Sequence, residues 1–450
     1  MRKRKNKILL AGITAFLSTT AFGQQARPIS LPEAISLGLQ NSQLIKISEA
    51  KIKEAEANVE EAKNRQLPDF KLSGTYMRLT GANVDFKAAQ NSQQQSSSES
   101  KQQAAIPKVN QAMYGSANLS WPVFAGGRIR YGIESSKYLL EAAKLSEDND
   151  RNAIVYNISQ AYTNLFKASQ VIKVIDQNLQ AARQRDSQYL KLENNGIIPR
   201  NDRLKAQLQT SQIELQLLEA ESNYNVANTN MDLLLGIPQG TKLAVDSSFL
   251  NAGIDQKELL YYENEALQNR NDVQANAYRQ RAAALGVKAA KAEELPTLAL
   301  TGGYMAVDVP KVLTVTNAIN AGVGVQYNLA NLWKKNSNLK KAEAQEAQLF
   351  ASQSLLADNI RLEVSRDYEN ALLSQRKIEV YQKALDQSEE NYRIVKNKYD
   401  NGLATITDVL DANAARYSAQ INIANAKADA TLSYQKLLQS TGIINKQNNI

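Results

Sequence analysis

The chain has 450 residues, of which 43% are apolar and 22% charged, an ordinary balance for a folded protein. It contains no cysteine and no histidine, which excludes disulfides, thiolate metal sites, iron–sulfur clusters and every Ser–His or Cys–His hydrolase. The formal charge of +8 overstates its basicity, because Arg2, Lys3, Arg4, Lys5 and Lys7 supply five of those charges ahead of the first acid, Glu33.

Those cations precede an apolar run over 8–22 that leads into Ala21-Phe22-Gly23. A basic head, an apolar run and small residues at −3 and −1 predict a signal peptide over 1–23, cut before Gln24. The run is about 15 residues, short of the roughly 20 that cross a bilayer as a helix. Removing it leaves a charge of +3, which ends any nucleic-acid reading of the raw value. No later stretch of 18 apolar residues occurs. The expected product is therefore exported, without helical spans, and periplasmic, secreted or inserted in an outer membrane as β-structure.

The remainder repeats itself. Residues 39–77 align without gaps on 267–305, so that Leu39-Gln40-Asn41 meets Leu267-Gln268-Asn269 and Leu67-Pro68 meets Leu295-Pro296, at a spacing of 228. Later parts align at a spacing of 206: Tyr162 with Tyr368, Asn195-Gly196 with Asn401-Gly402, Asp202 with Asp408, and Gly236-Ile237 with Gly442-Ile443. The first copy thus holds about 22 extra residues between 78 and 116, and its wholly polar stretch over 91–103 reads as a mobile loop tip. The pattern predicts a first repeat over 24–237, a linker over 238–262, a second repeat over 263–443 and a tail over 444–450.

Each repeat opens on a helix and continues into two alternating segments, expected as strands at about 69–80 and 114–124, then 297–307 and 320–329. Phe70, Leu72, Gly74 and Tyr76 alternate with Lys71, Ser73 and Thr75; Ala321, Val323, Val325 and Tyr327 alternate with Gly322, Gly324 and Gln326. Period-two alternation marks strands with one apolar face. In an exported chain, lengths near 9–11 residues with aromatics near the ends suit tilted membrane strands.

The rest is expected as long helix. Ile154, Ile158, Ala161, Leu165, Ala168, Ile172, Ile175, Leu179 and Ala182 follow the 4-3 spacing of a coiled-coil seam. Ala206, Ile213, Ala220, Ala227 and Leu234 continue at seven-residue intervals, as do Val364, Ala371, Ile378, Leu385 and Tyr392 in the second copy. Neither Pro nor Gly occurs from Ile133 to Asn195, and about 60 helical residues rise roughly 90 Å. Such a helix projects from any ordinary domain. The two hairpins are expected to turn at 195–201 and 401–407.

Four strands cannot close a membrane barrel, and lipid does not tolerate open strand edges, so several copies must contribute strands. At this point the residues resemble a known family, the TolC-like outer-membrane efflux proteins. Ala34, Leu39 and Asn41 look like its N-terminal helix, Leu67-Pro68 like the start of its first strand, and Trp121-Pro122-Val123-Phe124-Ala125-Gly126-Gly127 like its strand exit. The run 399–412, Tyr399 through Asp408 and Asp411 to Ala412, is similar to its second helical turn. The likeness spans roughly 31–443. It implies a mainly α fold with a β-barrel portion: a duplicated repeat in which a homotrimer shares a twelve-stranded barrel continued by an α-helical periplasmic tunnel. It also implies an exit duct for efflux or type I secretion in the outer-membrane lipid, partnered by a periplasmic adaptor (membrane fusion) protein and an inner-membrane pump. The competing class is a periplasmic or surface coiled-coil adhesin, which would show neither heat-modifiable migration nor conductance.

By the same resemblance, Asn195, Gly196, Asn401 and Gly402 form the periplasmic tip turns, where a plain glycine C-cap also suffices. Asp202 and Tyr399 match the family's gate contacts, but Ala404 stands where the family has an arginine, leaving Arg200 or Arg203 as replacements. Asp408 and Asp411, spaced i, i+3 beside the seam through Val409 and Ala412, share one helix face. In a trimer they would form two stacked rings of carboxylates at the aperture; the alternative is two capping acids. No catalytic residue, cofactor or metal is expected.

Overall fold

The computed structural model describes residues 26–82, 109–251, 257–310 and 313–444. The expected signal over 1–23, the polar stretch 91–103 and the tail beyond residue 444 lie outside the described residues.

The chain opens with a short strand, β1 (Arg27–Ile29), and a helix, α1 (Leu31–Asn41), whose N-cap Ser30 accepts the Glu33 N–H. Helix α2 (Gln43–Asn64) leads into two antiparallel strands, β2 (Asp69–Ala82) and β3 (Val109–Phe124). Two helices of 67 and 36 residues follow, α3 (Arg128–Asn194) and α4 (Arg200–Leu235). Strand β4 (Leu243–Val245) and a 3-10 turn over Ser248–Asn251 precede the second copy. That copy comprises α5 (Leu259–Asn269), α6 (Asn271–Lys291), β5 (Thr297–Val309), β6 (Leu313–Gln326), α7 (Ser337–Asp400) and α8 (Ile406–Ser440). The repeat spacings carry through to element ends: 228 residues separate Asn41 from Asn269 and Asp69 from Thr297, and 206 separate Asn194 from Asp400 and Arg200 from Ile406.

Two compact units result. One draws on the described parts of Met1–Glu49, Ser146–Val273 and Leu355–Ile450, the other on Ala50–Leu145 and Gln274–Ser354.

The second unit holds a four-stranded antiparallel sheet in the order β2-β3-β5-β6. Its register decides the faces. Leu72 pairs with Ala117 and Ala117 with Tyr304; Trp121 pairs with Leu300 and Leu300 with Val323. Because paired residues share a face, Phe70, Leu72, Leu119, Trp121, Leu298, Leu300, Ile319, Val323 and Val325 all lie on one side. That side is bare, with Leu72 82% and Ile319 79% exposed. The other side carries Lys71, Ser73, Asn118, Ser120, Thr301, Asn320 and Gln326, and its Ser73 and Ser116 hydroxyls sit 2.8 Å apart. The outer edges of β2 and β6 have no strand partner among the described residues.

The first unit holds the main core. The seam predicted on α3 is buried at Ile154, Ile158, Ala161, Leu165, Leu179 and Ala182, matched by Ala206, Ile213 and Ala220 on α4 and by Val364 and Ala371 on α7. Tyr162, fully buried, donates its hydroxyl to the Ile29 carbonyl at 3.0 Å and accepts the Asp246 N–H at 3.0 Å. Burial pushes this phenol up to about 12.

Three expectations need correction. The segment 238–262 is not a plain linker: β4 pairs in parallel with β1, and α5 begins at Leu259. Here β1 supplies the backbone partners that three residues cannot supply locally. Helix α3 starts at Arg128, not Ile133, with Gly132 inside it where a Cβ would meet nothing within 4 Å. One half-buried glycine, with open space where a Cβ would stand, costs a 67-residue helix little. The last strand runs over 313–326, not 320–329. It stops because the Asn328 side chain accepts the Ala330 N–H and starts a 3-10 turn over Leu329–Leu332.

Candidate functional site: the helical turns and their acids

Both helical hairpins turn through the same device. Gly196 at φ +69° and Gly402 at φ +73° occupy the left-handed region. The N–H groups of Ile197 and Leu403 return to the carbonyls of Leu192 and Lys398, each at 2.8 Å, while Gly196 and Gly402 bond Glu193 and Tyr399 at 2.9 Å. This pair of bonds satisfies the last carbonyls of each helix. A Cβ at either glycine meets nothing within 4 Å. The penalty of Gly402→Ala is therefore purely torsional, about 1 kcal/mol. Thermal unfolding that showed no loss would contradict this geometry.

The turns close over one apolar cluster. Tyr189 of α3, Ala206 of α4, and Ile406, Val409 and Leu410 of α8 are buried together, with Leu192, Ile198, Tyr392, Val395 and Tyr399 packed against them. Tyr399 lies 6.2 Å from Tyr189, ring centre to ring centre. Burial, and then the neighbouring Tyr399 hydroxyl, hold the Tyr189 phenol well above its ordinary value.

The acids of the two copies differ in what holds them. Thr405 caps α8: its Oγ1 accepts the Asp408 N–H at 3.2 Å, and Asp408 Oδ2 accepts the Thr405 N–H at 2.8 Å and its hydroxyl at 2.7 Å. This reciprocal capping box holds the Asp408 carboxyl below its usual value. Asp202 occupies the corresponding position on α4, but its N-cap is Pro199, which has no N–H to give. Its nearest cation is Lys205, with Nζ at 3.8 Å. Asp411 is exposed one turn beyond Asp408, while Val409 and Ala412 beside them are buried. Thus, among the described residues, Asp408 caps α8 through Oδ2 and leaves Oδ1 without a hydrogen bond, whereas Asp411 caps nothing.

Thr405→Ala should therefore cost about 1 kcal/mol, while Pro199→Ala should cost far less, since Pro199 makes no side-chain cap. Because the folded Asp408 value is depressed, its contribution is present above the unfolded value of 3.8 and is lost as pH falls through the lower folded value. Amide exchange at 406–409, followed from neutral pH into that window, reads this directly. Protection unchanged on acidification would contradict the capping box.

Within one chain the expected gate residues are partnered separately: Tyr399 with Tyr189, and Asp202 beside Lys205. Of the candidate replacements at Ala404, Arg203 is committed to α3, donating to Glu193 Oε2 at 2.9 Å with Asp186 at 3.6 Å, and Arg200 is exposed. Two features escaped the sequence reading. Arg416 lies 4.1 Å from the Tyr392 ring centre and donates to Asn413 at 3.0 Å; Asn413 in turn donates to the buried Asn178 of α3 at 3.1 Å. A polar residue flanking a seam was the available signal. No group of three metal-ligating side chains and no helix apolar enough to cross a membrane occurs among the described residues.

The profile of the Outer membrane efflux protein family matches residues 34–237 and 263–443. The outer membrane efflux protein BepC of Brucella suis is 21% identical over 441 residues, covering 97% of this chain and 90% of BepC. The outer membrane protein TolC of Escherichia coli is 22% identical over 320 residues, 66% of this chain and 63% of TolC. The crystal structure of the outer membrane protein VceC from Vibrio cholerae superposes with a TM-score of 0.73 at 20% identity, covering 92% of this chain and 96% of VceC. With a match that spans both copies of its duplicated plan, this chain belongs to the outer membrane efflux protein family, and its place is the outer membrane.

Proposed function

We propose that three copies of this chain assemble into one channel, the exit duct through which a periplasmic adaptor and an inner-membrane pump expel their cargo. The observation that carries this is the sheet: among the described residues it has four strands, an apolar face on one side only, and two edges without partners. In hydrocarbon each unpaired N–H or C=O costs several kcal/mol, so the edges must be met by further strands. Three copies supply twelve, enough to enclose a water-filled lumen lined by the polar face. A repeated head-to-tail contact between β6 of one copy and β2 of the next closes as a ring.

Each chain supplies two repeats, over 24–237 and 263–443, with the tip turns at Asn195-Gly196 and Asn401-Gly402 presented to the adaptor. Asp408 and Asp411 ring the aperture, and Tyr399 and Asp202 contribute to its closure across the assembly. The family is one of channels, not enzymes, and transport here needs no cofactor. Small molecules and polypeptides both fit this reading, since the polar face offers hydroxyls and amides, not a shaped pocket.

Purified protein added to a planar bilayer should produce discrete, long-lived conductance steps. An adhesin-like rod gives none, and a flat current trace at protein levels that saturate membrane binding would overturn the channel.

A further inference from the structure

One end of the sheet, where the chain passes between strands and long helices, gathers cations and aromatic rings from both copies. After β3 the chain turns at Gly126, φ +62°, so tightly that a Cβ would come within 2.8 Å of the Ala292 carbonyl and 3.0 Å of Leu295. That contact sets Arg128 and Arg130 against the segment leading into β5. After β6, Asn336 caps α7 through the Leu339 N–H at 2.9 Å and donates to Glu294 at 3.1 Å, while Asn338 donates to Glu293 at 3.1 Å. Those bonds bring Lys334 and Lys335 to the other side of the same segment. Strands β3 and β6 flank β5, so the two basic pairs are about two strand spacings apart, roughly 10 Å.

Around them the apolar face ends in aromatics. Trp121 donates its indole N–H to the Gln66 carbonyl at 3.0 Å, and Phe124, Tyr327 and Trp333 are exposed, Trp333 by 72%. Among the described residues Lys334 and Lys335 are paired with no carboxylate, and Arg130 has only Glu134 at 3.7 Å. Glu293 and Glu294 are engaged by Asn338 and Asn336, Glu134 lies beside Arg130 and Asp69 beside Lys71, so Arg128, Lys334 and Lys335 are left without a carboxylate partner among the described residues. Rings at the edge of an apolar face with long basic side chains beyond them match the boundary between acyl chains and headgroups.

We propose that this collar, Arg128, Arg130, Lys334 and Lys335 framed by Trp121, Tyr327 and Trp333, binds the phosphates of anionic phospholipids of the phosphatidylglycerol class, in the leaflet on the helical side of the membrane. The proposal rests on the channel reading, which places the apolar face in lipid. The lysine and arginine stems lie along the outermost acyl carbons while their charged ends reach phosphate. Such contacts are electrostatic and weaken with salt.

The chain contains two tryptophans, Trp121 and Trp333, and both sit in the collar, so their fluorescence reports on the lipid beside it. The full-length protein is reconstituted in phosphatidylcholine vesicles containing brominated phosphatidylglycerol, or the reverse labelling, and quenching gives the relative affinity of the two lipids. The parent should prefer phosphatidylglycerol by about fivefold or more at low salt, the weight of one effective surface cation. The preference should shrink at high salt. The combined change Arg128→Gln, Arg130→Gln, Lys334→Gln and Lys335→Gln should bring it close to unity, while Lys377→Gln with Lys383→Gln on α7 should leave it unchanged. Equal quenching by both lipids in the parent would overturn the collar, as would equal loss in the α7 control. A stronger preference for lipid A phosphates over phosphatidylglycerol would place this end in the opposite leaflet and overturn it too. If neither lipid quenched, the protein would not be in the bilayer, and the channel reading itself would fall with the collar.

Discussion

Leu300→Arg should strip the protein of its place in the outer membrane, while Thr301→Arg, one residue along the same strand, should leave it there. Leu300 is paired with Trp121 on one side and Val323 on the other, on the face that carries Leu72, Ile319 and Val325. Thr301 lies between Ser120 and Gly322 on the opposite face. Leu300 pairs with Trp121 at the collar end of this face, so an arginine there costs less than the midplane figure of about 2–4 kcal/mol, and a ring of three carries that cost three times. In a water-filled lumen the same charge stays hydrated. The readout is the fraction of chain recovered in outer-membrane vesicles as an oligomer that survives detergent at room temperature. Equal recovery of the two variants, or loss of the Thr301 variant alone, would reverse the assignment of faces.

The second large effect concerns ion passage. Asp411 is exposed, makes no cap and sits beside a buried seam. In a trimer it supplies three carboxylates at one level of the aperture, with Asp408 supplying three more one turn away. Such rings favour cations and hold multivalent ones, and crowding makes each carboxyl harder to ionise. Asp411→Asn should therefore lower cation-over-anion selectivity and weaken block by a trivalent cation by about tenfold or more, with little change in stability. Thr405→Ala provides the contrast, because it removes the cap but keeps every charge; its selectivity should match the parent and its stability should fall. Asp408→Asn should do both. If Asp411→Asn left selectivity and block untouched, the acids would be helix-terminal groups and nothing more.

The capping box divides the two acids. Of the two readings of Asp408 and Asp411, aperture rings or capping acids, the cap is seen at Asp408 and not at Asp411. Thr405, three residues before Asp408, was the sign of a cap, and the structure makes the reciprocal bonds.

Much of the fold is legible because two periods do the work. The alternation through Phe70, Leu72 and Tyr76 and the seven-residue steps through Ala206, Ile213 and Ala220 each describe one face of one element. The duplicated spacing then carries element ends such as Asn41 onto Asn269. What periodicity does not encode is pairing between distant short segments. Strand β4 has three residues, too few for any alternation, and exists because β1 lies beside it and Tyr162 bonds both Ile29 and Asp246. The stop of β6 at Gln326 depends on the Asn328 side chain, a local bond invisible to a face pattern.

The site was legible in position and less so in chemistry. Gly196 and Gly402 mark the turns by residue type alone. The contacts of Tyr399 with Tyr189, and of Arg203 with Glu193, join residues of α3 to other helices and follow from packing, not spacing. The clasp of Arg416, Asn413 and Asn178 belongs to the same class.

The most direct test of the assembly is the mass of the detergent-extracted protein measured without heating, by native mass spectrometry. Four strands with two open edges among the described residues require strands from further chains, and the proposed trimer predicts three times the mass of the processed chain. A particle of one chain, folded and stable in that detergent, would contradict it.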